Sequence, residues 1–159
     1  VGGGKDRAHC LEIMKDSRIG VYGVVALILV VGLWAGALEV FANGAVVGLF
    51  ILMAVYSRIA ILAVQELLPT ARSDGLGAQV AGGQWGARVS AFLAVALGLV
   101  WFGQSAVWAF CAMAVVAAGV ARVAWRRIGG QTGDVLGAVQ ITAEVTGWLV
   151  LSVVLQDAV

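Results

Sequence analysis

The chain has 159 residues, 62% of them hydrophobic and only 12% charged, with a mean hydropathy of +1.00. A soluble domain carries about twice that share of charge, so a water-soluble globule is excluded and a membrane-embedded protein is indicated. The net charge of +1 gives no sign of a nucleic-acid partner, and two cysteines, Cys10 in a polar flank and Cys111 in mid-span, point to neither a disulfide nor a metal site.

Residues 1–20 form a polar flank. The opening VGGGKDR reads like the middle of a loop, without a basic leader or a small-residue cleavage site. The apolar run from Val21 is therefore not a signal peptide, and further residues are expected upstream of Val1. Within LEIMKDSRIG, Glu12, Lys15, Asp16 and Arg18 fall in seven residues. Glu12 and Asp16 stand i,i+4, which on a helix puts two mutually repelling carboxylates on one face. Such a pair suits an oxygen-seeking cation such as Mg²⁺, and the same spacing suits a solvated amphipathic helix. His9 reads as a surface residue.

Five apolar runs follow, at about 21–42, 45–68, 89–104, 105–125 and 135–155. Each approaches the roughly 20 residues that a membrane helix needs. Asn43-Gly44 turns the chain after the first run, Pro69 stops the second, and Gly103 with Gln104 completes the short third one. Backbone groups in lipid must be paired within the chain, so these spans are expected as helices. The fold class is all-α: one polytopic membrane helix bundle, residues 1–159, with about five transmembrane helices. Gly32 with Gly36, and Gly44 with Gly48, have the small-residue spacing of close helix crossings. The six tryptophans suit interfacial belts or core packing.

Five crossings put the flank, the 69–88 loop and the 126–134 loop on one side. That side holds Lys5, Arg7, Lys15, Arg18, Arg72, Arg88, Arg122, Arg126 and Arg127, and the other side holds no Lys or Arg. By the positive-inside rule the loop side faces the cytoplasm.

Two further groups carry candidate chemistry. Gly129-Gly130-Gln131-Thr132-Gly133-Asp134 follows Arg126 and Arg127. Its glycines would let N–H groups line an anion site, and Thr132 or Asp134 would cap the last helix, whose N-terminus favours an anion. The bland alternative is a basic turn that sets topology. Arg58 and Glu144 lie at membrane depth, each roughly 15 Å from the loop side, with Gln140 one turn before Glu144. Intramembrane charges need partners, so Arg58 and Glu144 are expected to meet in the bundle interior, with Glu66 near either network. Glu39 and Asp157 read as solvated ends.

The segments GGGKDRAHCLEIMKDSRIGVYGVVAL, LLPTARSDGLG and RRIGGQTGDVLGAVQITAE occur in this order with apolar spans between them. Together they resemble the cobalamin synthase (adenosylcobinamide-GDP ribazoletransferase) family, over essentially the whole chain. The resemblance implies a multi-pass inner-membrane enzyme with a cytoplasmic active face, which joins adenosylcobinamide-GDP to α-ribazole or its 5′-phosphate, releases GMP and depends on Mg²⁺. An oligomer is compatible with it.

The family pattern points to Asp6, Glu12, Lys15, Asp16, Ser17 and Arg18, then to Arg72, Gly75 and Gly77, then to Gly129, Gly130, Thr132, Gly133, Asp134 and Glu144. Asp16, Asp134 and Glu12 are the metal candidates it implies. These three with Glu144 are the catalytic candidates, and Lys15, Ser17, Arg18, Arg72, Gly129, Gly130, Thr132 and Gly133 are the phosphate-binding candidates. Members of the family also carry an acidic Asp-Gly-rich segment just before the position of Gly2, which this sequence does not include. Two other classes share parts of the pattern. A CDP-alcohol-type phosphotransferase would show its own aspartate motif, which is not present. A small transporter would explain the buried charges but not three polar motifs on one side.

Overall fold

The computed structural model describes residues 4–16, 18–41, 47–71 and 85–155. Helix α1, Arg7–Ile13, starts where Asp6 caps it, its carboxylate accepting the His9 N–H at 2.8 Å. Helix α2, Val21–Glu39, is an unbroken apolar run. Helix α3, Val47–Leu67, ends before Pro69, which lacks an N–H and disfavours helical geometry at the residue before it.

Next comes a helical run of 44 residues, Trp85–Ile128, interrupted only at Gly103, where φ is 57° and ψ −140°. A straight helix of that length would span about 66 Å. Yet Arg88, near its start, pairs with Glu66 at 3.0 Å, and Gln131, just past its end, bonds to Pro69 and Ala71. Both ends of the run therefore stand beside the C-terminal end of α3, and the chain doubles back at Gly103. A positive φ costs glycine nothing and a side chain a good deal. The two arms, 85–102 and 104–128, are α4 and α5. Helix α6, Gly133–Val154, completes the bundle.

Side-chain contacts give the directions. α4 runs antiparallel to α3: Gly48 faces Phe102, and Gly98 faces Leu52 and Tyr56. α5 runs parallel to α3, with the Tyr56 and Phe110 rings 5.1 Å apart. α6 runs antiparallel to α3, with Trp148 4.7 Å from Phe50 by ring centroids and Glu144 beside Ser57. The bundle has a loop end, where residues 69–71 and 129–134 meet, and a far end at Phe41, Gly48 and Gly103.

Each of the five expected apolar runs is helical over its described residues, with the third and fourth as arms of one run. Among the described residues four helical runs are long and apolar enough to cross a membrane, this one among them. The Asn43-Gly44 turn lies outside the described residues, as does Asp157.

Packing in such a bundle comes from close contact rather than from escape from water. Trp148, Met53, Met113, Val139, Ala143 and Leu151 are fully or almost fully buried. Gly147 lets α6 approach both methionines, since a methyl there would stand 2.6 Å from Met53 Sδ and 2.7 Å from Met113 Sδ. Gly98 does the same for Tyr56, whose hydroxyl occupies the space a methyl would need. The expected crossing at Gly32 and Gly36 is not made among the described residues, where no other helix comes within 4 Å of where a methyl on either would stand. Within the bundle α2 buries only Ala37. Its last turn and Phe41 dock on Trp148, with ring centroids 5.7 Å apart, while the rest of the helix stands clear.

Candidate functional site

The loop end is tied together by main-chain bonds. Gly129 adopts φ 69° and donates its N–H to Trp125 O at 3.0 Å, the left-handed cap that terminates α5. Two residues on, the Gln131 N–H donates to Pro69 O and the Ala71 N–H donates to Gln131 O, each at 2.8 Å. Gly130 makes this pairing possible, because a methyl there would collide with Pro69 O. Thr132 then caps α6: its side chain accepts the Val135 N–H at 3.4 Å and its carbonyl accepts from Leu136. Asp134 sits in the first turn of α6, where the helix dipole favours a negative charge.

The N-terminal flank reaches the same end. The Arg7 guanidinium lies over Gly129, with Nη1 3.2 Å from where a methyl on that glycine would be. Cys10 is buried in the cluster that contains Ile128 and Val135. Exposed Arg126 and Arg127, in the last turn of α5, add two more positive charges. The loop end thus joins a helix N-terminus, a glycine turn and three arginines, groups that suit phosphate.

The placement of the expected residues is uneven. Gly129, Gly130, Thr132, Gly133 and Asp134 form the loop. Gly129 and Gly130 also have plain structural roles there, as cap and as close approach, and Asp6 serves as the α1 cap. Glu12 and Asp16 do not share a helical face: α1 ends at Ile13, and a tight turn carries the chain on, with Lys15 N–H on Glu12 O and Asp16 N–H on Ile13 O. The cause is local. Arg18 takes both Asp16 oxygens with Nε at 3.1 and 3.0 Å and Nη2 at 2.7 Å, and its N–H bonds Oδ1 at 3.0 Å. That guanidinium holds the Asp16 carboxyl below its ordinary range. Lys15 and Arg18 are exposed. Ser17, Arg72, Gly75 and Gly77 lie outside the described residues.

Among the described residues no three carboxylate, histidine or cysteine side chains gather as a metal-binding group, so Glu12, Asp16 and Asp134 do not make a cage on their own. Magnesium does not require one. It commonly binds one or two carboxylates and completes its octahedron with water and substrate phosphates. A lone Asp134 beside an anion-suited loop fits that donor set.

Glu144 is not at the loop. It lies ten residues along α6 from Asp134, about 15 Å away, and meets Arg58 with Oε2 3.9 Å from Nη1. Ser57 stands between them, accepting from Arg58 Nη1 at 3.2 Å with Glu144 Oε2 3.2 Å from its Oγ. The expected pair therefore forms, but not in the interior. Arg58 keeps 57% of its side chain exposed against 19% for Glu144. Glu66 pairs instead with Arg88.

In the sequence Arg7 stands only among the charges that set topology, and Gln131 carries no mark of a role. Nothing in the spacing shows that α1 folds back over Gly129. Gln131, a neutral amide inside a glycine turn, is 97% buried (3% exposed), with its Oε1 unpartnered.

A bundle of membrane-length helices with one polar, arginine-bearing end defines a polytopic membrane protein whose loop end suits phosphorylated ligands. The family model described as cobalamin-5-phosphate synthase matches residues 1–152, and the chain belongs to that family. It is 43% identical over 154 residues to the adenosylcobinamide-GDP ribazoletransferase of Bradyrhizobium diazoefficiens, covering 94% of this chain and 59% of the relative. Proteins of the same name from Rhizobium meliloti and Azorhizobium caulinodans are each 42% identical over 156 residues, with 91% of this chain covered. The chain thus spans about three fifths of the length of the curated relatives it matches. No solved structure matches it.

Proposed function

We propose that this chain is the membrane core of an adenosylcobinamide-GDP ribazoletransferase, set in the bacterial inner membrane with its loop end toward the cytoplasm. The observation that carries the reading is the junction at Gly129–Asp134. Main-chain bonds from Gln131, the Arg7 guanidinium over Gly129 and the Thr132-capped start of α6 bring parts of all three family segments to one end.

In the proposed reaction a ribose hydroxyl of α-ribazole, or of its 5′-phosphate, attacks the phosphorus on the cobinamide side of the pyrophosphate. One new O–P bond forms. The bridging O–P bond breaks, GMP leaves with the electron pair, and the hydroxyl proton passes to a base. Phosphoryl transfer asks for positioning and charge stabilisation more than for covalent help. Arg7, Arg126 and Arg127 supply positive charge, and the α6 N-terminus supplies N–H donors. Magnesium, held through Asp134 and the substrate oxygens, would neutralise the pyrophosphate.

The test is Mg²⁺-dependent GMP release by the full-length protein in lipid nanodiscs, given adenosylcobinamide-GDP and α-ribazole. Asp134→Asn should lower the rate by about two orders of magnitude or more. Unchanged release in that variant would overturn the assignment.

A further inference from the structure

We infer that the face of α3 and α6 around Arg58 and Glu144 holds the corrinoid body of the substrate, through neutral amide groups, while the pyrophosphate sits at the loop end. This inference rests on the function proposed above.

Arg58 lies nine residues from the end of α3, about 13 Å below the loop end. Helical side chains lean toward the N-terminus of their helix, and here that draws the guanidinium deeper, onto Ala54 O at 3.2 Å. More than half of the side chain is nonetheless uncovered. A guanidinium at that depth cannot face hydrocarbon without heavy cost, so this face looks onto something polar.

The chemistry of the face narrows what that is. Arg58 and Glu144 cancel in charge, so a bare anion would meet the Glu144 carboxylate as well as the guanidinium. A neutral group that both donates and accepts satisfies both partners, and a carboxamide does this. The polar groups continue along the same side of α6 at helical spacing, with half-buried Gln140 one turn before Glu144. Gly133 and Gly137 carry the strip back to the loop end, and nothing lies within 4 Å of where their side chains would start. Gly133 and Gly137 are exposed, and α2 buries only Ala37.

Elsewhere α3 borders grooves of 230 Å³ beside Phe110 and 310 Å³ beside Gly98, whose walls are almost wholly apolar, and a smaller one of 130 Å³ beside the Glu66–Arg88 pair. The polar strip is different in kind. It leads from a phosphate-suited loop into the membrane, as a substrate with an amide-edged macrocycle on one arm and a pyrophosphate on the other requires.

The test measures adenosylcobinamide binding, without its GDP arm, to the full-length protein in nanodiscs, alongside Mg²⁺-GDP binding. Arg58→Leu and Glu144→Gln should each weaken the corrinoid roughly tenfold and leave Mg²⁺-GDP affinity unchanged. Arg58→Lys should recover part of the loss. Asp134→Asn should do the reverse, keeping the corrinoid and losing turnover. Because Arg58→Leu risks misfolding, Gly137→Leu serves as a second variant. Its side chain enters open space and should weaken the corrinoid comparably. Wild-type corrinoid affinity in folded Arg58→Leu or in Gly137→Leu would overturn this inference alone. A wild-type protein that neither binds the corrinoid nor releases GMP would overturn the proposed function instead.

Discussion

Gln131 donates its N–H to Pro69 O at 2.8 Å and accepts from the Ala71 N–H at 2.8 Å, and this pair of bonds ties the segment after α3 to the turn before α6. It is available only because Gly130 has no side chain. Gly130→Ala would drive a methyl into Pro69 O, and carbonyl and proline are both rigid. A loss of about 1–3 kcal/mol is expected, visible as a lower melting temperature in detergent. Gly133→Ala, three residues on and with open space around it, should be neutral or stabilising by up to about 1 kcal/mol. Equal effects of the two would contradict the bridge.

Gly98→Ala and Gly147→Ala test the crossings in the same way. Each new methyl meets a neighbour, but the neighbours differ. At Gly147 they are Met53 and Met113, whose thioethers can turn aside. At Gly98 it is the phenol of Tyr56, fixed by the edge-on Phe110 ring. Gly98→Ala should therefore cost more, about 2–3 kcal/mol against roughly 1. Thermal unfolding of the two variants side by side would show the reverse order if the register of α3 and α4 were wrong.

Thr132→Ala removes the side-chain cap of α6 and should cost about 1 kcal/mol, with Thr132→Ser close to wild type. The 3.4 Å bond is long, so the loss should fall toward the lower end of the capping range. Under the proposed function, GMP release by the full-length protein should fall along with stability, because the same turn precedes Asp134.

Asp16 gives a prediction about pH. Its carboxyl lies below its ordinary 3.8, first through the Arg18 side chain and then through the Arg18 N–H. A folded-state value below the unfolded one means that the pairing stabilises at neutral pH and fades as the pH falls through the folded value. Asp16 should contribute no slope to stability between about pH 5 and 8. A melting-temperature step in that window that disappears in Asp16→Asn would contradict the pairing.

The candidate site was legible in the sequence to different depths. In GGQTGD the capping role of Thr132 was legible, since turn and cap chemistry is local. The Arg58–Glu144 pair was legible from depth alone, because two charges at one level of a bundle must find each other. Its exposure was not, since hydropathy does not say which face of α3 another helix covers. The expected Glu12–Asp16 face failed for a local reason. Spacing assumes that the helix continues, and here Arg18 captured Asp16 just after the helix ended.

What the sequence alone determined is the set of apolar spans, their count and the gathering of polar segments at one end. Backbone pairing in lipid and the distribution of Lys and Arg leave little choice about these. What only the tertiary structure decided is contact. Gly98 and Gly147, not Gly32 and Gly36, carry the close crossings, α1 lays Arg7 over Gly129, and Arg58 keeps more than half of its side chain exposed beside Glu144. These depend on which helix faces meet, and a stretch of small and apolar residues offers several faces of similar merit until packing selects one.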